Sequence, residues 1–282
     1  MVELSNKVVL VTGANSGIGF EASVKLARLG ATLVMVGRNR EKLDAAVAEV
    51  KQRAASENVT SRLCDFSAQS SIRALAEAFR KDHDRLDILV NNAGSVSDTR
   101  QVTVDGFEQT FAVNHLGYFL LTDLLLDLLK AAAPARIVNV ASVGHRRGEL
   151  DFDDLHMEKG YQIMRAYARS KLANVLFTRE LAKRLEGAGV TVNSLHPGAV
   201  ATRIWDHAPW YAKPALAVAK LFMITPEQGG DTIMYLATSP EVQGKTGGYY
   251  EKNRLVDPAE HAKDEVLARK LWNVSTSLCA GA

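Results

Sequence analysis

The stretch Thr12-Gly13-Ala14-Asn15-Ser16-Gly17-Ile18-Gly19 is the most informative segment of the chain. It follows an apolar, β-branched run, Lys7 to Thr12, and it opens a helical pattern that continues to Leu29. A glycine-rich turn in this context brings backbone N–H groups to a helix N-terminus, where they bind phosphate. Three glycines allow a tight turn, a close approach of backbone to pyrophosphate, and close packing of helix on strand. The segment therefore predicts a dinucleotide site, whereas a plain structural turn would account for Gly13 alone.

Short apolar runs alternate with longer helical patterns along the chain. The predicted strands are Lys7 to Thr12, Thr32 to Val36, Val59 to Cys64, Leu86 to Asn91, Arg136 to Ala141 and Val190 to Leu195. The predicted helices are Ile18 to Leu29, Glu41 to Arg53, Ser70 to Lys81, Phe107 to Ala131, Tyr167 to Leu185 and Glu227 to Ala237. Because parallel strands need crossovers of helical length, this alternation predicts an α/β fold, a doubly wound parallel sheet with helices on both faces.

We expect a single domain over residues 1–282, with a cofactor-binding half to about residue 135 and a catalytic half from about residue 136. The net charge of +2 and the lack of a long basic run argue against nucleic acid as a partner. Cys64 and Cys279 have no metal or redox spacing, and no signal peptide is recognisable, so a cytoplasmic protein without a metal site is expected. The longest apolar candidate, Phe119 to Leu129, contains two aspartates, so no transmembrane segment is predicted.

Tyr167 and Lys171 place a phenol and an ammonium four residues apart in a predicted helix, hence on one face. A buried cation favours phenolate, so we expect Lys171 to lower the pKa of Tyr167 and to make it a usable proton donor and acceptor. Ser142, after the fifth predicted strand, offers a second hydroxyl. An isolated Tyr-x-x-x-Lys pattern is typical of a solvated helix face. The glycine turn and Ser142 favour catalysis instead.

Cofactor choice is expected to depend on Val36-Gly37-Arg38-Asn39-Arg40, at the end of the second predicted strand. An acidic residue there would bind the ribose 2′-hydroxyl of NAD, and a basic one the 2′-phosphate of NADP. No carboxylate occurs before Glu41, and a guanidinium pairs well with phosphate. The segment favours NADP over NAD, with Arg38 and Asn39 as candidate contacts. The alternative is that Arg38 and Arg40 form a solvated helix start.

The motifs together resemble the short-chain dehydrogenase/reductase family over essentially the whole chain. They are Thr12-Gly13-x-x-x-Gly17-Ile18-Gly19, Asn91-Asn92-Ala93-Gly94, Ser142, Tyr167-x-x-x-Lys171 and His196-Pro197-Gly198. Asn114-His115-Leu116-Gly117 and the C-terminal Leu271-Trp272-Asn273-Val274-Ser275 resemble the branch of retinol dehydrogenases and related NADP-dependent carbonyl reductases. The resemblance implies a Rossmann fold whose cofactor lies over the carboxyl ends of the strands.

The resemblance also implies roles for individual residues. Ser142, Tyr167, Lys171 and Asn114 would be catalytic; Lys171 would also hold the nicotinamide ribose, and Asn114 a water that connects Lys171 to solvent. For Asn114, a polar residue merely satisfied within a helix pair is an equal alternative. Further cofactor contacts would be Asp65 and Phe66 at the adenine, Asn92, Ala93 and Gly94 on the adenosine side, and Pro197, Gly198, Val200 and Thr202 at the nicotinamide end. Asn92 would also suit an ordinary strand exit.

Two irregular segments are expected to flank the site. Val143 to Met164 would form one wall of the entrance; its His145 either touches the substrate or is a solvated loop residue. Thr202 to Phe222, rich in tryptophan and aliphatic residues, would suit a lipophilic substrate. Ordinary packing, subunit contact or peripheral membrane contact is an equal alternative for that segment. The family resemblance admits a homodimer or homotetramer built on the two long helices.

These observations favour an NADP(H)-dependent oxidoreductase that transfers hydride between nicotinamide and a lipophilic alcohol, aldehyde or ketone, as in retinol dehydrogenases. A reductase of a specialised-metabolite or xenobiotic ketone is an alternative within the same class. A non-catalytic, NADP-sensing regulatory protein is the alternative from another class. Such a sensor would not need Ser142, Tyr167 and Lys171 together.

Overall fold

A computed structural model describes residues 3–198 and 224–280. Within these residues, eight strands form one sheet in the order β3-β2-β1-β4-β5-β6-β7-β8. The strands are β1 Val8–Thr12, β2 Thr32–Gly37, β3 Val59–Leu63, β4 Ile88–Asn91, β5 Ala135–Val140, β6 Val190–His196, β7 Tyr249–Glu251 and β8 Arg254–Val256. Pairing is parallel from β3 through β7, and β8 runs antiparallel to β7. The six predicted strands and the parallel α/β architecture are confirmed; the short strands β7 and β8 were not predicted.

The described helices cover both faces of the sheet. They are α1 Gly17–Arg28, α2 Arg40–Ala54, α3 Gln69–Asp82, α4 Gln109–Phe111, α5 Gly117–Leu124, α6 Leu126–Ala131, α7 Ile163–Arg184, α8 Pro226–Gly229, α9 Asp231–Thr238 and α10 Glu265–Cys279. Alternate residues of β1 point to opposite faces, Leu10 into one core and Val9 and Val11 into the other. Helices α1, α2 and α9 pack on the second core, and α3, α5, α7 and α10 on the first.

The prediction of one continuous helix from Phe107 to Ala131 is wrong. A π-helical turn, Ala112–Leu116, separates α4 from α5, and the helix is interrupted again at Leu125, where φ is −108° and ψ is 8°. Asn114, His115 and Thr122 are buried here together with the apolar side chains, and hydrophobic periodicity, which records only the spacing of apolar residues, gives no sign of either irregularity. The helix predicted to begin at Tyr167 begins one turn earlier, at Ile163.

Helix α10, which was not predicted, packs against the two long helices α5 and α7. The Trp272 ring lies 4.9 Å from the ring of Phe119 on α5 and 6.0 Å from that of Phe177 on α7, between centroids. One turn later, the Ser275 hydroxyl is 2.8 Å from Nε2 of the buried His115. This chain therefore covers part of its own long-helix face with α10. Across residues 3–198 and 224–280, none of the helices has both the length and the apolar character needed to span a bilayer.

Candidate active site

The predicted motifs meet at one edge of the sheet. Neighbouring strands β1, β4, β5 and β6 run parallel, so their carboxyl ends lie side by side. These ends continue into the glycine turn after Thr12, into Asn92-Ala93-Gly94, into Ser142 and into Pro197-Gly198. The carboxyl edge of an open parallel sheet is where ligands bind in such folds.

The glycine turn has no room for larger side chains. Gly13 has a φ of +64°, and a Cβ atom on it would lie 2.8 Å from the Cα of Ala93. A Cβ on Gly19 would lie 2.6 Å from the Gly13 carbonyl oxygen and would overlap the amide of Asn92. Asn92 Nδ2 donates to the carbonyl oxygens of Thr12 (2.8 Å) and Gly13 (3.1 Å). The Asn92 side chain thus joins the end of β4 to the glycine turn, which is the structural role expected of a residue at a strand exit.

The N-terminus of α1 suits an anionic group. Ser16 occupies the N-cap position with extended backbone, and its side chain makes no capping hydrogen bond. The first turn carries no acidic residue. Backbone N–H groups at such an N-terminus favour phosphate through hydrogen bonds and the helix dipole. The turn, with Gly17 and Ile18 opening the helix, fits the pyrophosphate of a nicotinamide dinucleotide.

Arg38, Asn39 and Arg40 are exposed immediately after β2. Among the described residues, no side chain or backbone group pairs with the guanidinium of Arg38 or Arg40. The Asn39 side chain caps α2 by accepting a 2.9 Å hydrogen bond from Lys42 N. Asn15 lies beside this strand end, since a Cβ on Gly37 would be 3.2 Å from its Oδ1 atom.

The two residues expected at the adenine have different environments. Asp65 is exposed, and its Oδ1 accepts hydrogen bonds from Ser67 N (2.9 Å) and Ser67 Oγ (2.7 Å). The Phe66 side chain is buried and packs at Gly117, where an added Cβ would lie 2.7 Å from its Cδ1 atom. Burial leaves the Phe66 backbone, rather than its ring, available to a ligand.

Ser142 and Tyr167 lie side by side at the end of β5. A Cβ atom on the intervening Gly144 would be 3.5 Å from Ser142 Oγ and 3.4 Å from Tyr167 Cε1. Ser142 Oγ also accepts a 3.1 Å hydrogen bond from Gly144 N, so it caps the 3₁₀ turn Val143–Arg147 as well. Partial burial raises the pKa of the Tyr167 phenol, and the Ser142 hydroxyl offsets this in part.

Lys171 is buried directly behind the phenol. Its Nζ donates a 2.9 Å hydrogen bond to the Val140 carbonyl oxygen and lies 5.7 Å from the ring centroid of Tyr167. Burial lowers the pKa of Lys171 to about 7. The prediction that Lys171 lowers the pKa of Tyr167 is therefore wrong for this arrangement: burial raises the pKa of the phenol, and the group that opposes the rise is the Ser142 hydroxyl, not the Lys171 ammonium.

Asn114 lies in the π-helical turn, with its side chain fully buried. Its Oδ1 accepts from Ser95 N at 2.8 Å, and its Nδ2 donates to Ser95 O and Ser170 Oγ, both at 3.0 Å. The side chain is thus fully hydrogen-bonded within the protein, as in the alternative weighed for it, but two of the three bonds go to the loop after β4 and one to helix α7. The water that would connect Lys171 to solvent stays a prediction.

His145 is neither solvated nor free to touch a substrate, so both readings of it are wrong. The ring is fully buried, with hydrogen bonds to Ser142 O and Ala259 N. The cause is the unpredicted C-terminal segment around β7 and β8, which packs over this turn.

The segment between Ser142 and Tyr167 is held in place by buried polar contacts. Arg169, between Tyr167 and Lys171 in sequence, is buried and donates to the carbonyl oxygens of Glu149, Asp154 and Leu155. The Tyr161 hydroxyl donates to Ser97 O at 2.7 Å. The role of Arg169 in holding this segment was not predicted, although Arg169 lies within the Tyr167-x-x-x-Lys171 motif. Its position inside the motif is the one sequence signal that could have identified it.

The loop after β6 is described only in part. Gly198 has a φ of +96°, and His196 is buried. The predicted contacts Val200 and Thr202, and the substrate segment Thr202 to Phe222, lie outside the described residues. In the described part of the chain, no cluster of His, Cys, Asp and Glu side chains is arranged to hold a metal ion.

The sequence pattern of short chain dehydrogenases matches residues 7–210. The chain belongs to this family. Human retinol dehydrogenase 14 is 44% identical over 96% of this chain and 86% of its own length. Among solved short-chain dehydrogenase-like structures, an uncharacterised protein from Mycobacterium Paratuberculosis matches with a TM-score of 0.80 and 31% identity, over 99% of this chain and 96% of its own. The Pseudomonas aeruginosa RhlG/NADP complex matches with a TM-score of 0.71 and 28% identity, over 88% of this chain and 94% of its own.

Membership in the short-chain dehydrogenase family confirms the fold and the retinol dehydrogenase-like branch expected from the motifs. It makes the chain an oxidoreductase of the class that acts on alcohols and carbonyl compounds. The glycine turn, the open N-terminus of α1 and the Ser142–Tyr167–Lys171 group fit that chemistry.

Proposed function

We propose that this protein is an NADP(H)-dependent oxidoreductase that transfers hydride between the nicotinamide and a lipophilic alcohol, aldehyde or ketone. The observation that carries the proposal is the placement of two hydroxyls, those of Ser142 and Tyr167, side by side in front of the buried ammonium of Lys171. Two neighbouring donors at one point suit an oxygen on which negative charge develops.

In the direction of reduction, the bound nicotinamide supplies the hydride to the carbonyl carbon. The electron pair of the C=O π bond moves to oxygen, and Tyr167 donates its phenolic proton there. Ser142 donates a hydrogen bond to the same oxygen. The raised pKa of Tyr167 keeps the phenol protonated at neutral pH, as a proton donor requires. The positive charge of Lys171 then stabilises the phenolate that remains after Tyr167 has given up its proton.

Cofactor binding is assigned to the residues at the carboxyl edge of the sheet. They are Gly13, Asn15, Ser16, Gly17, Ile18, Gly19, Arg38, Asn39, Asp65, Phe66, Asn92, Ala93, Gly94, Tyr167, Lys171, Pro197 and Gly198, with Val200 and Thr202 beyond the described part. The preference for NADP rests on Arg38, whose exposed guanidinium has no partner among the described residues. That the related RhlG structure is an NADP complex supports this choice.

The lipophilic substrate class rests on two exposed apolar side chains that are close in sequence to Ser142 and Tyr167. Val143 directly follows Ser142 and is 48% exposed, and Met164, one turn before Tyr167 on α7, is 54% exposed. Exposed apolar groups at a site are available to bury substrate surface. The retinol dehydrogenase names of the curated relatives support the same class. A cytoplasmic location and a homo-oligomer stay predictions from the sequence.

A substrate panel tests the proposal. Retinal, long-chain aliphatic aldehydes, and aryl and steroid ketones are each incubated with NADPH, and with NADH as a comparison, while reduced cofactor is followed by absorbance. We expect consumption of NADPH in preference to NADH, with higher kcat/KM for the more lipophilic carbonyls. Binding of NADPH without turnover on any compound would contradict the proposal and favour the non-catalytic sensor.

A further inference from the structure

His145 is joined to the catalytic serine by its ring. Its Nδ1 lies 2.7 Å from the carbonyl oxygen of Ser142, and its own backbone N–H donates to the same oxygen at 3.1 Å. On the other side of the ring, Nε2 lies 3.1 Å from the backbone nitrogen of Ala259, in the segment between β8 and the 3₁₀ turn Glu260–Lys263. The imidazole therefore bridges the end of β5 and the C-terminal segment.

These two partners determine the tautomer of His145. A carbonyl oxygen only accepts hydrogen bonds, and a backbone N–H only donates them. The nitrogen facing Ala259 must then be the unprotonated acceptor, so the ring proton lies on Nδ1 and is donated to Ser142. A doubly protonated ring would point an N–H at the N–H of Ala259. The neutral Nδ1–H form is the one that satisfies both contacts.

The surroundings of the ring favour this neutral form. His145 is fully buried, and burial lowers its pKa; the hydrogen bond to Ser142 O opposes this in part, and the charge of Arg146, with any charge on His261 or His196, acts in the lowering direction. The Tyr249 ring of β7 lies 4.7 Å from the imidazole, between centroids. Two more contacts fasten the same junction: His261 Nε2 lies 3.2 Å from His145 O, and Arg146 donates to Asp257 O at 3.0 Å.

We propose that His145 is a positioning residue for the reaction, which holds the Ser142 peptide through its Nδ1–H and thereby fixes the direction of the Ser142 hydroxyl. This rests on the proposed function, in which that hydroxyl donates to the substrate oxygen. A misdirected hydroxyl weakens a hydrogen bond that matters most in the transition state. The loss is therefore expected in kcat, with little change in the affinity for NADPH.

Three substitutions separate the two hydrogen bonds of the ring. In His145→Asn, the side-chain N–H reaches the position of Nδ1 and keeps the bond to Ser142. In His145→Gln, the longer amide reaches the position of Nε2 and keeps the bond to Ala259. His145→Leu keeps the volume and loses both. We expect kcat within about threefold of wild type for His145→Asn and a loss of roughly tenfold or more for the other two.

His83→Leu is the matched control. His83 follows the last residue of α3, away from the site, and packs on the Phe79 ring with 4.7 Å between ring centroids. It is expected to leave kcat unchanged, whatever its effect on the unfolding midpoint. Equal losses of kcat in His145→Asn, His145→Gln and His145→Leu, or a comparable loss in His83→Leu, would overturn the positioning role.

A measurement without substrate separates this proposal from the proposed function. Two-bond ¹H–¹⁵N spectra of the histidine rings, with His145 assigned by its absence in His145→Asn, report tautomer and protonation directly. We expect the Nδ1–H tautomer and no protonation at the pH where an ordinary histidine titrates, about 6.5. An Nε2–H tautomer or ordinary titration overturns the proposal, whether or not any carbonyl compound is turned over.

Discussion

Lys171 and Val140 are joined by a hydrogen bond of 2.9 Å between the side-chain ammonium and the backbone carbonyl oxygen at the end of β5. The ammonium lies between two phenol rings, 5.7 Å from the centroid of Tyr167 and 5.9 Å from that of Tyr118 on α5. One carbonyl and two aromatic faces are a poor substitute for water, which is why burial lowers the pKa of Lys171 to about 7. The Lys171 side chain thus titrates near neutral pH.

This lowered pKa predicts a pH-dependent stability that Lys171→Met removes. Between about pH 7 and the ordinary lysine value of 10.5, the unfolded chain holds the Lys171 proton and the folded chain does not. The unfolded state then binds more protons, so the free energy of unfolding rises with pH, by up to roughly 1.4 kcal/mol per pH unit for one group. Below pH 7 both states hold the proton and the slope disappears.

Urea unfolding of both proteins without cofactor, at several pH values between about 7 and 10, checks this. We expect the free energy of unfolding of wild type to increase relative to that of Lys171→Met as pH rises through this range. Parallel curves for the two proteins would mean that Lys171 keeps an ordinary pKa in the folded state.

Arg38→Asp is expected to reverse the cofactor preference. The substitution replaces a cation that can pair with a 2′-phosphate by an anion that repels it and can bind the 2′-hydroxyl instead. The dissociation constant for NADPH should rise by at least about tenfold, while that for NADH stays or falls. The control is Arg254→Asp, the same change in charge on β8, at the opposite edge of the sheet. Fluorescence titration of both cofactors measures it, and an unchanged preference for NADPH in Arg38→Asp would refute the assignment.

Trp272→Ala is expected to destabilise the fold through the docking of α10. The indole packs on Phe119 and Phe177, and the guanidinium of Arg184 lies 4.2 Å from its ring centroid. Removing a large, partly buried aromatic side chain should lower the free energy of unfolding by about 2–3 kcal/mol. Val266→Ala, on the same helix but 71% exposed, should change it by less than about 0.5 kcal/mol. Equal unfolding midpoints for the two variants would show that α10 adds little to stability.

The sequence predicted the parts of the molecule that have a local pattern. The six longer strands, the glycine turn and the positions of Ser142, Tyr167 and Lys171 all follow from short motifs and periodicity. The features that were not predicted depend on contacts between segments that are far apart in the sequence. Strands β7 and β8 have three residues each, too few for a periodic signal. His145 is buried, and it contacts Tyr249 and Ala259, both more than a hundred residues away in sequence.

The pKa shifts of Tyr167 and Lys171 were not predicted correctly for the same reason. The spacing of Tyr167 and Lys171 indicates proximity, but the direction of a pKa shift depends on how deeply each group is buried and on what else it contacts. The carbonyl of Val140 and the ring of Tyr118, which surround the Lys171 ammonium, belong to other elements. Tyr118 lies four residues after Asn114, so the predicted helix over this region places both residues on the same helix face.

Tyr167→Phe tests the central assignment most directly, because it keeps the ring and removes the proton. Tyr235→Phe is the control; its hydroxyl contacts Glu241 at the surface, 3.0 Å away. Single-turnover reduction of the best carbonyl substrate by NADPH is to be measured for both variants, together with NADPH affinity. We expect a rate lower by about 10²- to 10⁴-fold in Tyr167→Phe, with NADPH affinity retained and Tyr235→Phe unaffected. A rate near that of wild type in Tyr167→Phe would contradict it.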